Sequence, residues 1–268
     1  MPLEAADAEA EGLHLACGGA LGAGVARLTL RRPAKFNAMT RAMWRALAAL
    51  MAELRVQPGL RVLTVVGEGG HFCAGGDIAE YPDFRFDAER LRDFHENEVW
   101  GGLSALLALD CPVIAQIDGH CMGAGVEIAS CCDIRVATSA ARFGAPIARL
   151  GFPMAPREAE LVAREAGLAT AREMLLQAAV LDAQTMCARG FVHAVCADAA
   201  ALDEDVQRRV RRFGELSPEA ARLNKQTLRA LSQGQGAQTL VARAYDYAAH
   251  AEHREGIAAF IDKRLPVF

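Results

Sequence analysis

Two glycine-rich loops carry the clearest chemical signal in the chain. Residues 67–77 follow an apolar stretch ending at Val66, and residues 118–127 follow a second one ending at Ile117. Glycines let a backbone approach a ligand closely and leave N–H groups unpaired. A helix that begins behind such a loop adds positive potential, which suits an oxygen acquiring negative charge. The loops therefore predict an oxyanion site, although tight turns without any ligand remain the alternative.

Phosphate and metal sites fit the same residues poorly. Neither loop has the lysine of a P-loop or the Gly-x-Gly-x-x-Gly spacing of a dinucleotide site. A cluster formed by His120, Cys121, Cys131 and Cys132 matches no zinc spacing. We therefore predict no metal, no bound cofactor, and eight reduced cysteines that serve mainly as small core residues.

The elements that must position these loops alternate between strands and helices. A hairpin is predicted from 14–16 and 25–30, and a helix is predicted after Thr40. Further strands are predicted at 62–66, 113–117, 134–137 and 191–195, with helices at 96–109 and 124–130. This alternation favours an α/β fold. From Ala199 onward only helices are predicted, at 199–213, 218–231 and 239–253.

Composition limits the partners of the chain. It has 268 residues, 52% of them hydrophobic, and a net charge of -4, which gives no general attraction to nucleic acid or anionic membranes. The acidic start lacks the pattern of a signal peptide, and no apolar run reaches the ~20 residues of a spanning helix. We therefore expect a cytoplasmic protein without a membrane partner.

A basic run on the first of the C-terminal helices is the one feature that could suggest RNA binding. The run contains Arg208 and Arg209, and Glu204 and Asp205 lie four residues before them. Such i,i+4 pairs are typical of a solvated helix face, and no aromatic residues interleave to stack on bases. We predict no nucleic-acid partner.

Several segments, in order along the chain, resemble the enoyl-CoA hydratase/isomerase (crotonase) superfamily. Residues 72–78 (FCAGGDI) are similar to its first loop, and 118–134 to its second loop, helix and Cys-Asp strand. Residues 32–39 (RPAKFNAM), 141–144 (ARFG) and 256–264 (GIAAFIDKR) resemble three further family segments. The resemblance implies a spiral of ββα units at residues 1–198. It also implies a C-terminal helical region at 199–268 that forms trimers or dimers of trimers.

The resemblance also assigns roles to individual residues. It implies that the backbone N–H groups of Ala74 and Ala124 form the oxyanion hole for the carbonyl of an acyl-CoA thioester. Coenzyme A then enters as part of the substrate rather than as a cofactor. The residues that the resemblance places along the coenzyme A path are Ala34, Lys35, Phe36, Ala74, Gly75, Gly76, Asp77, Ile78 and, from a neighbouring subunit, Phe260 and Lys263.

The acid–base residues depart from the family pattern. Glu127 matches the first family glutamate, and its place in the first helical turn predicts an ionised carboxylate that acts as a base. Ile147 occupies the place of the second glutamate and cannot transfer a proton. Glu158 and His120 are possible substitutes, although a surface carboxylate and a polar loop residue are the simpler interpretations. The alternative to an enzyme is an acyl-CoA binder with little or no turnover.

Overall fold

The computed structural model describes residues 6–268. The first five residues, which belong to the segment from which we predicted the absence of a signal peptide, lie outside this description. Across the described part of the chain, no helix combines the length and the apolarity needed to cross a membrane.

A seven-stranded sheet forms the centre of the molecule. The described residues contain ten strands, in chain order β1 (Ala6–Ala10), β2 (Leu13–Cys17), β3 (Val25–Leu30), β4 (Val62–Gly67), β5 (Val113–Ile117), β6 (His120–Met122), β7 (Ile134–Thr138), β8 (Arg142–Gly144), β9 (Val180–Asp182) and β10 (Ala194–Cys196). The large sheet has the order β1-β2-β3-β4-β5-β7-β10. The pairs β1–β2 and β2–β3 are antiparallel. The pairs from β3 onward, β3–β4, β4–β5, β5–β7 and β7–β10, are parallel. The predicted hairpin and the strands at 62–66, 113–117 and 134–137 are confirmed.

A second, smaller sheet consists of β6, β8 and β9. Strand β6 starts three residues after β5 ends, so the chain passes directly from the large sheet into the small one. A single parallel bridge between Cys73 and Cys121 joins the loop after β4 to β6. The second glycine-rich loop therefore contains a short strand that the sequence did not predict.

Within residues 6–268, eleven α-helices surround the sheets: α1 (Arg41–Arg55), α2 (Ala88–Asp93), α3 (Trp100–Leu107), α4 (Ala124–Ser130), α5 (Pro156–Ala166), α6 (Leu168–Leu176), α7 (Ala183–Ala188), α8 (Ala199–Gly214), α9 (Pro218–Ser232), α10 (Ala237–Leu240) and α11 (Ala251–Ile261). A π-helical turn, Phe94–Val99, joins α2 to α3.

Helix α1 shows why these segments form: the Thr40 hydroxyl accepts from the Met43 N–H at 3.1 Å, which satisfies a free donor of the first turn. Its apolar face is buried, which stabilises the helix beyond its intrinsic propensity.

The predicted strand at 191–195 begins three residues later in the structure and ends at Cys196. The N–H groups of Phe191 and Val192 both donate to the Met186 carbonyl and so end α7, and the strand begins only at Ala194. Phe191 is fully buried and packs edge-to-face against Phe143. Its apolar character therefore reflects the core beneath the turn rather than a strand.

Helix α8 packs on the large sheet. Leu202, Val206 and Val210 form one buried cluster with apolar side chains of the parallel strands, among them Ile114 and Val136. The division of the chain at residues 198 and 199 stays a prediction. The packing of α8 nevertheless places residues up to 214 against the core, so a boundary after α8 fits the contacts better.

The predicted helix at 239–253 is wrong. The segment breaks into α10, two short 3-10 turns and the start of α11, with His250 in an extended conformation before Ala251. Val241 and Tyr245 in this stretch are 44% and 69% exposed. A short helix without a packed apolar face is only marginally stable, which accounts for the break.

Candidate active site

Backbone hydrogen bonds tie three segments together beside the parallel strands. The Phe72 and Cys73 N–H groups of the first loop donate to carbonyls of the second loop, and the Met122 N–H donates back to Cys73, each at 2.8 Å. The Met39 N–H donates to the Gly75 carbonyl, and the Asp77 N–H donates to the Met39 carbonyl, also at 2.8 Å. The predicted motif segments at 32–39, 67–77 and 118–127 are thus assembled into one unit.

A cavity of about 60 Å³ lies against this unit. Its walls combine backbone from both loops with polar and apolar side chains from the surrounding helices. The residues that line it are Trp44, Gly76, Tyr81, Arg85, Phe94, His95, Val99, Gly123, Ala124, Glu127, Ile147, Phe152, Pro153, Met154 and Glu158.

Two backbone N–H groups that the two glycine-rich loops bring to the cavity wall have no acceptor among the described residues. They belong to Gly76, beside the bridge to Met39, and to Ala124, the first residue of α4. The predicted donor Ala74 is different, because its N–H donates to the Phe36 carbonyl at 2.9 Å and the residue does not line the cavity. The prediction of Ala74 as a donor therefore conflicts with the backbone pairing, and Gly76 is the available donor in that loop.

Gly123 and Gly76 each occupy a place that excludes a side chain. Gly123 precedes α4 with φ 47° and ψ −110°, a conformation that is essentially restricted to glycine. It turns the chain sharply from β6 into α4. A Cβ on Gly76 would lie 2.2 Å from the Tyr81 hydroxyl, so only glycine fits beneath that ring without displacing it.

Glu127 lies in the first turn of α4, a helix whose seven residues are all buried. The residue is 7% exposed, and its carboxyl group receives no hydrogen bond from the described residues. The prediction that the helix N-terminus keeps Glu127 ionised is not supported. Burial, followed by the charge of Glu158, raises the pKa of Glu127 well above its usual value. Desolvation of a carboxylate outweighs the modest stabilisation of about 0.3–1 kcal/mol that a helix N-terminus provides.

Glu158 lies in the same cavity. It is in the first turn of α5, is 3% exposed, and its Oε1 lies 2.8 Å from Nδ1 of His95. His95 belongs to the π-helical turn Phe94–Val99, a distortion that is frequent at functional sites. The expectation of a surface carboxylate at Glu158 is therefore wrong, because α5 directs this side chain inward.

His120 lies outside the cavity. Its ring stacks on His71 with 4.5 Å between the ring centroids, and Phe36 packs edge-on against both rings. The backbone N–H of His120 also donates to Nδ1 of the His71 ring at 3.1 Å. Burial, together with the charge of His71, lowers the pKa of His120. These contacts make His120 a packing residue of the loop, and they do not favour it as the substitute acid.

Sequence reasoning missed several side chains of the cavity wall, and four of them bear on its chemistry. They are Tyr81, Arg85, His95 and Phe152. Burial raises the pKa of Tyr81 to about 12, so its phenol stays protonated. None of the four belongs to a motif with chemical spacing, and only the neighbourhood of the 72–78 loop in sequence could have drawn attention to Tyr81 and Arg85.

The residues predicted along the coenzyme A path lie on the segments beside the cavity. Ala34 and Lys35 belong to a 3-10 turn, Pro33–Lys35, and Phe36 follows it at 48% exposure. Ile78 is 52% exposed at the start of the 3-10 turn after the first loop.

The carboxylate of Asp77 accepts a hydrogen bond from Arg32 at 2.9 Å. Burial alone would raise the pKa of Asp77, but the Arg32 contact outweighs it and the pKa lies below the usual value. Phe260, at 84% exposure, and Lys263 lie at the end of α11, and neither lines the cavity of this chain.

No group of three or more histidine, cysteine, aspartate or glutamate side chains in residues 6–268 is arranged to hold a metal ion. The eight cysteines are free, and six of them are buried. Burial raises the pKa of Cys73 to about 12, which keeps this thiol protonated and unreactive.

Comparison with known proteins identifies the family. A family model described as enoyl-CoA hydratase/isomerase matches residues 20–268. A probable enoyl-CoA hydratase of Mycobacterium bovis is 30% identical over 244 residues, which cover 90% of this chain and 93% of the relative. The 2,3-dehydroadipyl-CoA hydratase of Escherichia coli is 32% identical over 245 residues, with 90% of this chain and 93% of the relative covered.

Solved structures agree with the family match. The crystal structure of an enoyl-CoA hydratase/carnithine racemase from Magnetospirillum magneticum superposes with a TM-score of 0.91 at 32% identity, covering 98% of this chain and 96% of that one. The predicted crotonase-type α/β fold is confirmed by this match and by the family model. The chain belongs to the enoyl-CoA hydratase/isomerase family.

Proposed function

We propose that the chain adds water to a 2-enoyl thioester of coenzyme A whose carbonyl oxygen is held by the N–H groups of Gly76 and Ala124. One observation carries this proposal: two unpaired backbone donors and two buried carboxyl groups line a single cavity. Donors placed before the reaction polarise the carbonyl and stabilise the enolate that forms next. In other enzymes the loss of one such donor costs about 2.7–4 kcal/mol of transition-state stabilisation.

Glu127 and Glu158 divide the proton transfers of this reaction. Burial favours the protonated form of Glu127, so this residue is the acid that gives a proton to C2. Glu158, oriented by His95, is the base that takes a proton from water as the oxygen attacks C3. The product gains one water, and a proton passes from Glu158 back to Glu127 through solvent before the next turnover. No cofactor other than the coenzyme A of the substrate enters this scheme.

The alternative, a binder without turnover, depends on the absence of a second acid at the place of Ile147. Ile147 does line the cavity, and it presents only an apolar surface there. Glu158 enters the same cavity from a different helix and supplies the second carboxyl group. This observation favours an enzyme over a binder.

The coenzyme A part of the substrate is proposed to follow the exposed residues next to the cavity entrance. Phe36 and Ile78 provide apolar surface there, and Lys35 provides a positive charge on the same segment. Phe260 and Lys263 of this chain are proposed to serve the site of a neighbouring copy in a trimer. Their exposure at the end of α11 is consistent with that role.

Glu127→Gln tests the proposal. Glutamine keeps the size and the hydrogen-bonding reach of glutamate but cannot donate the proton. We expect turnover of the best short 2-enoyl-CoA substrate to fall by at least ~10²-fold, since acid–base groups contribute ~10²–10⁴ in rate. Binding of a saturated acyl-CoA, measured by calorimetry, should persist.

Glu160→Gln is the matched control for this substitution, because Glu160 is an exposed carboxylate on α5. It should leave turnover unchanged. Full activity of Glu127→Gln would remove Glu127 from the mechanism, and the absence of acyl-CoA binding by the unaltered protein would remove the proposed function altogether.

A further inference from the structure

Arg85 is a positive charge in the cavity wall that has no counter-ion among residues 6–268. Its guanidinium carbon lies 3.6 Å from the centroid of the Phe152 ring and 4.5 Å from that of Tyr81. No carboxylate within the described residues forms an ion pair with it, and no side-chain hydrogen bond contributes to its pKa. Arg85 is therefore positioned by two aromatic faces, which leaves the N–H donors at the edge of its guanidinium group free.

Other arginines near the cavity are paired. Arg41 forms two hydrogen bonds with Glu98, at 2.6 and 2.8 Å, and also packs over Phe84 at 4.8 Å. Arg32 is paired with Asp77 at 2.9 Å. Arg41 thus shows that an arginine stacked on an aromatic ring in this region can also have a carboxylate partner. Arg85 has the aromatic contacts alone.

The contacts of Arg85 do not indicate that its charge serves to support the two proposed catalytic carboxyl groups. Burial lowers the pKa of Arg85, and the charge of Glu158 acts on it only at a distance without a hydrogen bond. The rise in the pKa of Glu127 comes from burial and Glu158, with no opposing contribution from Arg85. A guanidinium group stays charged at any physiological pH, so a half-buried one loses hydration that an anion in the cavity would replace.

We propose that Arg85 binds a carboxylate at the far end of the acyl group, so that the substrate is a coenzyme A thioester of a short dicarboxylic acid. Arginine pairs with carboxylates through two parallel hydrogen bonds, which gives orientation as well as affinity. Gly76 and Ala124 hold one end of the acyl group, and Arg85 lies in the wall of the same small cavity of about 60 Å³. A carboxylate at Arg85 and a carbonyl at the two N–H groups would fix both ends of a short chain. This inference rests on the proposed function and adds the substrate class.

Binding of two saturated thioesters tests it without any chemistry. Glutaryl-CoA ends in a carboxylate, and pentanoyl-CoA has the same chain length with a methyl end. By calorimetry we expect the protein to bind glutaryl-CoA roughly 10- to 100-fold more tightly, as expected for a hydrogen-bonded charged group. In Arg85→Met the affinity for glutaryl-CoA relative to pentanoyl-CoA should fall by the same factor, to about one. Arg85→Lys keeps the charge without the planar fork, so it should retain part of the preference for glutaryl-CoA.

Arg157→Met is the matched control. Arg157 also packs over an aromatic ring, with 5.6 Å to the centroid of Trp100, but it pairs with Glu96 and does not line the cavity. Its substitution should leave the ratio intact. An equal affinity of the unaltered protein for the two thioesters, or an unchanged ratio in Arg85→Met, would overturn the inference while leaving the proposed function in place. Failure of both thioesters to bind would instead overturn the proposed function.

Discussion

At the scale of single residues, Glu158 of α5 is the proposed substitute for the second family glutamate. The resemblance places Ile147 where the family has its second glutamate, and Glu158 from α5 lies in the same cavity and pairs with His95 at 2.8 Å. Glu158 and Glu127 are both buried, and the charge of Glu158 raises the pKa of Glu127. Two carboxyl groups that share a low-dielectric site do not ionise together, which suits an acid and a base acting in one step.

Moving the second carboxyl group from position 158 to position 147 tests the role of Glu158. Glu158→Gln should lower turnover by ~10²-fold or more, because it removes the proposed base. Ile147→Glu in the same variant should restore part of that loss, since position 147 also faces the cavity. Ile147→Glu alone should give no gain, because it adds a third carboxyl group to a site that already holds two.

The measurement is the initial rate of hydration of the same 2-enoyl-CoA by all three variants. A gain in rate from Ile147→Glu alone would show that the second acid is absent from the natural protein. Full activity of Glu158→Gln would exclude Glu158 as the base.

The raised pKa of Glu127 predicts a pH-dependent cost in stability. The folded chain keeps a proton that the unfolded chain releases above the usual pKa of 4.5. The contribution of this group is therefore fully favourable below pH 4.5 and weakens as pH rises toward the raised pKa. Glu127→Gln removes the group, so the variant should gain stability over the unaltered protein as pH increases.

Scanning calorimetry at about pH 5 and about pH 8, at one protein concentration, measures this effect. Each unit by which the pKa of Glu127 exceeds its usual value amounts to about 1.4 kcal/mol, or roughly 3–5 °C in Tm. Glu160→Gln should show no such trend because Glu160 is exposed. An equal Tm difference at both pH values would contradict a raised pKa for Glu127.

At the scale of elements, the site depends on how closely the first loop packs beneath the next turn. Gly76 lies under Tyr81, which belongs to the 3-10 turn Ile78–Asp83. In Gly76→Ala the new methyl group would lie only 2.2 Å from the hydroxyl of Tyr81. This clash must move either the ring of Tyr81 or the backbone N–H of residue 76, which is the proposed donor. We expect kcat/KM to fall by ~10- to 100-fold, because small displacements of positioning groups have effects of this size.

Removing the hydroxyl should relieve part of this clash, so Gly76→Ala combined with Tyr81→Phe should be more active than Gly76→Ala alone. Gly101→Ala on α3 is the control, since a Cβ there meets nothing within 4 Å. Unchanged kcat/KM in Gly76→Ala would show that the loop adapts without cost and would weaken the assignment of Gly76 as a donor.

The limits of sequence prediction also follow from the elements. Buried parallel strands such as β4 and β5 are mostly apolar and were predicted closely. Strands β6, β8 and β9 have three residues each, too few to show a period. The choice between Ala74 and Gly76 as donor depended on which N–H was already paired, and the inward direction of Glu158 depended on the tertiary packing of α5. Neither is encoded in local spacing.

At the scale of the whole molecule, the C-terminal residues form a surface that calls for a partner. Helix α9 has no buried residue in the single chain, and α11 has only Ala259. Phe260, Leu265 and Val267 are each more than 80% exposed. Apolar exposure concentrated on adjacent elements is typical of an interface between protein chains.

We expect sedimentation to give a trimer, or a dimer of trimers, of the 28.6 kDa chain. Leu265→Asp should shift the protein toward smaller species, because it places a charge on the exposed apolar surface. Val56→Asp, at a 78% exposed position after α1, should not. A monomer at working concentration would contradict the proposed assembly and leave Phe260 and Lys263 without a role in binding coenzyme A.

The backbone hydrogen bonds that join residues 32–39, 67–77 and 118–127 also have a consequence for how the protein folds. These segments lie far apart in the chain, and the hydrogen bonds that join them cannot form until β3, β4 and β5 are aligned. Contacts of high sequence separation form late, because loop closure must come first. A partly folded chain therefore has no cavity and gains nothing from acyl-CoA. The ligand stabilises only completed molecules, so its presence in the cell would draw the newly made chain toward the finished state.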